Sequence, residues 1–146
     1  MMCAMKPSLW RLLSLVPLLA PPAMAVEWTP LRKNEGASLS IDKKSVQRKG
    51  DETSFQYMVE FPTPQGDPSD GVIYRSLVVN ASMRCRPRTI AIGKTEAYIE
   101  PGAQGKVLAT TRPPQGLALF KPVESGTSDE DLWQLICERK KAAPKK

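Results

Sequence analysis

Residues 53–61 read Thr-Ser-Phe-Gln-Tyr-Met-Val-Glu-Phe, and this stretch decides the fold. Phe55, Tyr57, Val59 and Phe61 fall on one side of an extended chain, and Gln56, Met58 and Glu60 on the other. Aromatic and β-branched residues at a period of two predict a half-buried strand. Upstream, Ser38-Leu39-Ser40-Ile41-Asp42 alternates in the same way, Asp42 to Val46 then turns, and Lys49-Gly50-Asp51 supplies a turn signal. The two runs are expected to pair antiparallel. Val26 to Pro30 reads as a lead-in, with Trp28 as an anchor.

Downstream, Pro62 to Gly71 holds three prolines and two glycines and is expected to be an exposed loop. Val72 to Cys85 is the longest strand candidate. Its Leu77-Val78-Val79 patch is apolar on both faces, so both faces should be covered. Thr89 to Ile99 and Lys106 to Thr110 complete the strands, with Gly93 marking a bulge or bend. Successive strands with short turns indicate an antiparallel meander. Arg112 to Gly126 is a second loop, in which Leu117, Leu119 and Phe120 are expected to tuck against the sheet.

One helix is expected, at the end. Thr127 with Glu130 fits a capping box, and Ser128 is an equal cap candidate. Asp129, Glu130 and Asp131 suit the positive end of the helix dipole, and Arg139, Lys140 and Lys141 the negative end. Leu132, Leu135 and Ile136 form an apolar stripe, with Trp133 and Cys137 on the adjoining face. The fold class is therefore α+β: an antiparallel sheet of about five or six strands with a C-terminal helix packed on it.

The first 25 residues follow the order of a cleaved secretory signal. Lys6 and Arg11 precede a short apolar run from Leu12 to Ala20, and Ala23-Met24-Ala25 offers small residues for cleavage. The run is far below the roughly 18–20 residues that span a bilayer. Residues 26–139 are then a single domain, and residues 140–146 a disordered basic tail. Cleavage would lower the formal charge from +6 to +4. It would also remove Cys3, one of three cysteines, leaving Cys85 and Cys137 as an even pair in an oxidising compartment. Their disulfide would tie the helix to a strand; two free thiols are the other reading.

Basic residues gather toward both ends: Lys43, Lys44, Arg48 and Lys49, then Arg139 through Lys146. Such clusters attract nucleic acid, anionic lipid or sulfated polysaccharide, or are simply solvated. Export sets nucleic acid aside. Arg84, Arg86 and Arg88 alternate around Cys85 and Pro87, so an extended segment would present them as a row able to bind carboxylate or sulfate. A salt-bridged face is the plainer reading of the same three residues.

The chain contains no histidine, which excludes Ser–His–Asp and Cys–His catalysis. Disulfide-bonded cysteines cannot ligate zinc or copper, so no metal or other cofactor is expected. No Gly-rich phosphate loop is present. Glu60, Asp67 and Asp70 flank a loop, and Asp129 to Asp131 are accounted for by the helix terminus, so no enzyme is expected. Asn80-Ala81-Ser82 fits a glycosylation pattern but falls inside a predicted strand. Trp28, Phe55, Tyr57, Tyr74, Tyr98 and Trp133 could form a binding surface; aromatics at these spacings more often build core.

The order of features resembles the surface-adhesin protein E family of Gram-negative bacteria. It runs from Trp28-Thr29-Pro30 through Ile41-Asp42-Lys43-Lys44-Ser45-Val46 to Val59-Glu60-Phe61. Tyr74-Arg75-Ser76, Met83-Arg84-Cys85 and Leu132-Trp133-Gln134-Leu135-Ile136-Cys137 follow. The resemblance implies an antiparallel sheet, a C-terminal helix disulfide-linked to a strand, and an exported protein; the family's best-known member binds host matrix and serum proteins, and most relatives are simply exported proteins with no established ligand. No ligand-contact residue carries over, because residues 93–127 depart from the pattern. The expected function is an exported, non-enzymatic, adhesin-like binding module with a protein or polyanionic partner outside the cytoplasm. A periplasmic structural or inhibitor-like protein is the alternative.

Overall fold

Six strands follow one another in the computed structural model, which describes residues 25–114 and 119–138. They are β1 (Trp28–Lys33), β2 (Ser38–Lys49), β3 (Glu52–Gln65), β4 (Tyr74–Arg84), β5 (Thr89–Glu100) and β6 (Gln104–Thr111). Each pairs antiparallel with the one before it, in the spatial order β1-β2-β3-β4-β5-β6. A two-residue strand, β7 (Lys121–Pro122), returns to pair with the start of β5. The helix α1 (Ser128–Cys137) packs on one face of the sheet. The signal and tail expectations, with Cys3, Leu117 and Arg139, lie outside the described residues.

The alternation around Tyr57 sets the core. Ile41, Tyr57 and Val79 lie side by side across three strands, as do Leu39, Val59 and Leu77. Phe55, Ala81, Met83 and Ile90 extend this face, and Leu132 and Ile136 of α1 close over it. Leu132 is fully buried, at 0% exposure. Each of the two helix side chains stabilises the fold by roughly 1.5–3 kcal/mol through burial.

Both faces of β4 are covered. Val79 meets the helix side, while Val78 is buried on the other. There the cover is the 3-10 turn Pro101–Ala103, between β5 and β6. Glu60 accepts a hydrogen bond from the Gly102 amide at 2.8 Å. The fully buried Ser76 hydroxyl donates to the Glu100 carbonyl at 2.6 Å and accepts from the Ala103 amide at 3.0 Å. The Cys85–Cys137 disulfide joins the end of β4 to the last residue of α1, across 52 positions.

Several local expectations are corrected. Val26 to Pro30 is not merely a lead-in, because Trp28 begins an edge strand. Asp42 to Val46 does not turn the chain. It forms a bulge inside β2, where the register skips from Asp42↔Gln56 to Gln47↔Ser54. The Asp42 carboxylate accepts from the Lys44 amide, and the Ser45 hydroxyl donates to the Asp42 carbonyl and accepts from the Gln56 amide. A short polar side chain thus replaces a missing ladder bond. Leu119 does not tuck in; it is 70% exposed. The helix cap also differs. Thr127 is the N-cap residue, but its hydroxyl donates backward to the Glu124 carbonyl. Glu130 accepts from the Gly126 amide at 2.7 Å, one residue before the position a capping box would use.

Candidate functional site

The three arginines do not form a row. Residues 85–88 are a turn, not an extended segment. Arg84 lies over the Phe120 ring, 3.9 Å from its centroid, with Glu52 at 3.8 Å. Arg88 stacks 4.3 Å from the Trp133 ring centroid and reaches Glu130 at 3.5 Å. Both guanidinium planes thus pack on aromatic faces of their own chain. Arg86 alone of the three sits exposed on the turn without such a stack. Phe120 thus meets the sheet in the expected manner, through Arg84 of β4.

Other cations are committed to the helix as well. Arg32 of β1 binds Asp131 at 2.8 Å, and Arg48 of β2 donates to the Ile136 carbonyl at 2.7 Å. Two of the three acids considered for catalysis, Glu60 and Asp67, have structural partners. Glu60 holds the Gly102 amide, and Asp67 accepts from the Ser69 amide at 2.8 Å. That bond from Ser69 keeps the Asp67 carboxyl below its ordinary range. Phe55 and Tyr57 are core, and Tyr74 packs edge-on against Phe61 with centroids 6.0 Å apart.

The face of the sheet away from α1 is covered only in part. Past the cover of the 3-10 turn it opens into a groove of about 930 Å³. Its floor is Ser54 and Gln56 of β3 with Asn80 and Ser82 of β4. Ser45 and Gln47 form one wall, and Gly93, Lys94 and Arg112 the other. Both walls are built by bulges, the one in β2 and a second in β5, where the register skips between Val79↔Thr95 and Ala81↔Ile92. Bulges re-aim side chains and are common beside binding sites.

One hydrogen-bonded line crosses the floor. The Gln56 side-chain amide donates to the Asn80 amide oxygen at 3.3 Å, and the Asn80 amide donates to the Lys94 carbonyl at 3.3 Å. Asn80 therefore pins the β5 bulge. Gly93 permits it, because a Cβ there would stand 3.0 Å from the Asn80 carbonyl oxygen. Lys94 pairs with Glu96, which also accepts from the Tyr98 hydroxyl at 3.1 Å. The Lys94 ammonium chiefly, then Tyr98 and Arg112, hold the Glu96 carboxyl below its ordinary range against partial burial. Among the described lining residues the ionisable groups are Lys94 and Arg112, both cationic.

The profile of the surface-adhesin protein E family matches residues 28–138. The chain belongs to the surface-adhesin protein E family. Membership makes it an adhesin-like protein and implies an exported or cell-surface location. Among the described residues no helix is long and apolar enough to cross a membrane. No curated protein matches the chain significantly.

The fold is that of solved protein E structures. One crystal form of Haemophilus influenzae protein E superposes with a TM-score of 0.59 at 21% identity, covering 83% of this chain and 95% of that one. Protein E from non-typeable Haemophilus influenzae gives 0.58 at 20% identity, covering 88% of this chain and 86% of that one. At such identity the likeness carries the fold and no ligand contacts.

The cysteine count left after signal removal pointed to the disulfide, but no sequence pattern pointed to the groove. Lys94, Arg112, Gln56 and Asn80 are far apart in sequence and meet only through register. The readable signal was Gly93 within a strand pattern, which marks a close backbone approach.

Proposed function

We propose that this adhesin E protein is an exported, non-enzymatic binding module that meets an acidic partner outside the cytoplasm. In this reading residues 1–25 are a removed signal and residues 140–146 a basic tail that adds positive charge. The observation that carries the reading is the family match across residues 28–138. The cationic surface adds to it: Arg86, Lys43 and Lys44 are exposed, and Lys94 and Arg112 sit together at one groove wall. Charge of this kind steers association and is screened over about 8 Å at physiological salt.

The test is protease shaving of intact cells, followed by immunoblotting for the protein. Loss of the protein with an intact periplasmic marker is the expected result. Full protection would reject the surface role and favour a periplasmic structural or inhibitor-like protein. Binding of shaved-off or purified protein to host matrix should also fall as salt rises. Binding that ignores salt would remove the electrostatic part of the reading.

A further inference from the structure

We propose that the groove on the open sheet face binds a short anionic saccharide, one bearing sulfate or uronate groups. This rests on the binding-module reading and specifies its ligand. The lining is unusual in what it holds: hydroxyls from Ser54 and Ser82, planar amides from Gln56 and Asn80, and two cations with no acid among the described lining residues. Amides offer a donor and an acceptor on one plane, and hydroxyls offer both on one atom, which matches the alternating polar edge of a sugar. The cations gather at one end. Thr95 pairs with Thr111, so the next residue, Arg112, comes beside Lys94.

An acidic peptide fits this site less well. Protein partners gain most of their affinity from aromatic or large aliphatic anchors buried in pockets. The Phe55 ring belongs to the helix-side core, and Met58 and Val78 are already buried. The remaining apolar lining is Ala91, Ile92, Pro113 and Pro114, so among the described lining residues the groove offers no aromatic anchor beside its polar groups and charge. Its span from β2 to β5 is three inter-strand spacings, about 14 Å, which suits a short segment rather than a long polymer.

Glu96 sharpens the prediction. It neutralises Lys94 from just outside the groove lining, so a ligand sulfate or carboxylate must compete with it for that ammonium. Removing Glu96 should strengthen binding, whereas removing the cations should weaken it.

The experiment is calorimetric titration of the purified protein with a heparin-derived tetrasaccharide. Wild type should bind. A Lys94→Gln/Arg112→Gln variant should bind about tenfold more weakly, the loss expected for charge-assisted hydrogen bonds. Glu96→Gln should bind more tightly. Lys33→Gln/Lys49→Gln, on exposed residues outside the groove, should bind as wild type does. In NMR spectra the Gln56 and Asn80 side-chain amides should shift on titration. An equal loss in the Lys33/Lys49 variant would overturn the groove, reducing the effect to surface charge. Preference for a poly-glutamate peptide over the tetrasaccharide would overturn the ligand class while leaving a binding module. No binding to the tetrasaccharide by a protein that shaving places on the surface would overturn the saccharide alone; protection from shaving would strike the reading beneath it.

Discussion

Tyr57 shows how much one residue of a period-two pattern carries. Its ring lies in the core between Ile41 and Val79. Burial, with the Asp129 charge nearby, pushes its phenol far above the ordinary value of 10.0. The sign follows from which form each state prefers. The folded protein keeps the phenol neutral, while the unfolded chain ionises it near pH 10, so this contribution is intact below that pH and is lost as pH rises beyond it. Urea titrations from pH 8 to 11 should show stability falling above pH 10 in wild type and falling less in Tyr57→Phe. Tyr98 is also raised, by burial and then by Glu96, so some slope should remain. Equal slopes in the two proteins would show that the phenol is not the group responsible. A second single-residue case is Gly66, at φ +108, where a Cβ would lie 2.1 Å from the Val72 carbonyl oxygen. Gly66→Ala must move the chain at that crossing and should lower the melting temperature.

At the scale of elements, α1 is held by more than its apolar stripe. A ten-residue helix is too short to persist alone in water. Leu132 and Ile136 supply burial, Arg32 meets the acidic first turn, and Arg48 caps the Ile136 carbonyl. Leu132→Ala should cost about 2–5 kcal/mol and Arg48→Ala about 1 kcal/mol in chemical denaturation. A larger effect from Arg48 than from Leu132 would mean that the terminus, not the stripe, anchors the helix. The stripe was legible in the sequence because Leu132, Leu135 and Ile136 repeat at helical spacing. Arg48 was not, because it read as one more basic residue near the start. The same contrast runs through the sheet. Phe55, Tyr57 and Val59 announced their strand, and Gly93 its bulge. Asp42 to Val46 looked like a turn because its polar residues make the hydrogen bonds of a turn, yet β3 continues alongside and keeps it in the ladder as a bulge. The groove was the least legible part, since its members come from four strands and the segment after β6, and no local pattern ties Gln56 to Lys94.

For the whole molecule, export and architecture are linked through the disulfide. The meander puts each of β1 to β6 beside its sequence neighbour, so those pairings close only short loops. The helix is different: α1 returns from β6 through a long connection to lie over β2, β3 and β4, and the Cys85–Cys137 bond is what shortens that excursion in the unfolded chain. For a closure of this length the chain-entropy model gives about 4 kcal/mol. That is a large share of a typical stability of roughly 5–15 kcal/mol. The bond forms in an oxidising compartment, and the proposed signal delivers the chain to one. The full chain produced in a Gram-negative host and recovered from the envelope should therefore have an intact mass that begins at Val26, and a non-reduced peptide map should join Cys85 to Cys137. Reducing the bond and blocking both thiols should lower stability by about 2–5 kcal/mol in urea and loosen the helix first, seen as faster amide exchange over residues 128–137 than in the sheet. Because the sheet's own contacts are local, β2 to β4 should retain their protection under the same treatment. Uniform loss of protection across sheet and helix would mean that the two form one cooperative unit and that the disulfide stabilises the whole rather than the helix.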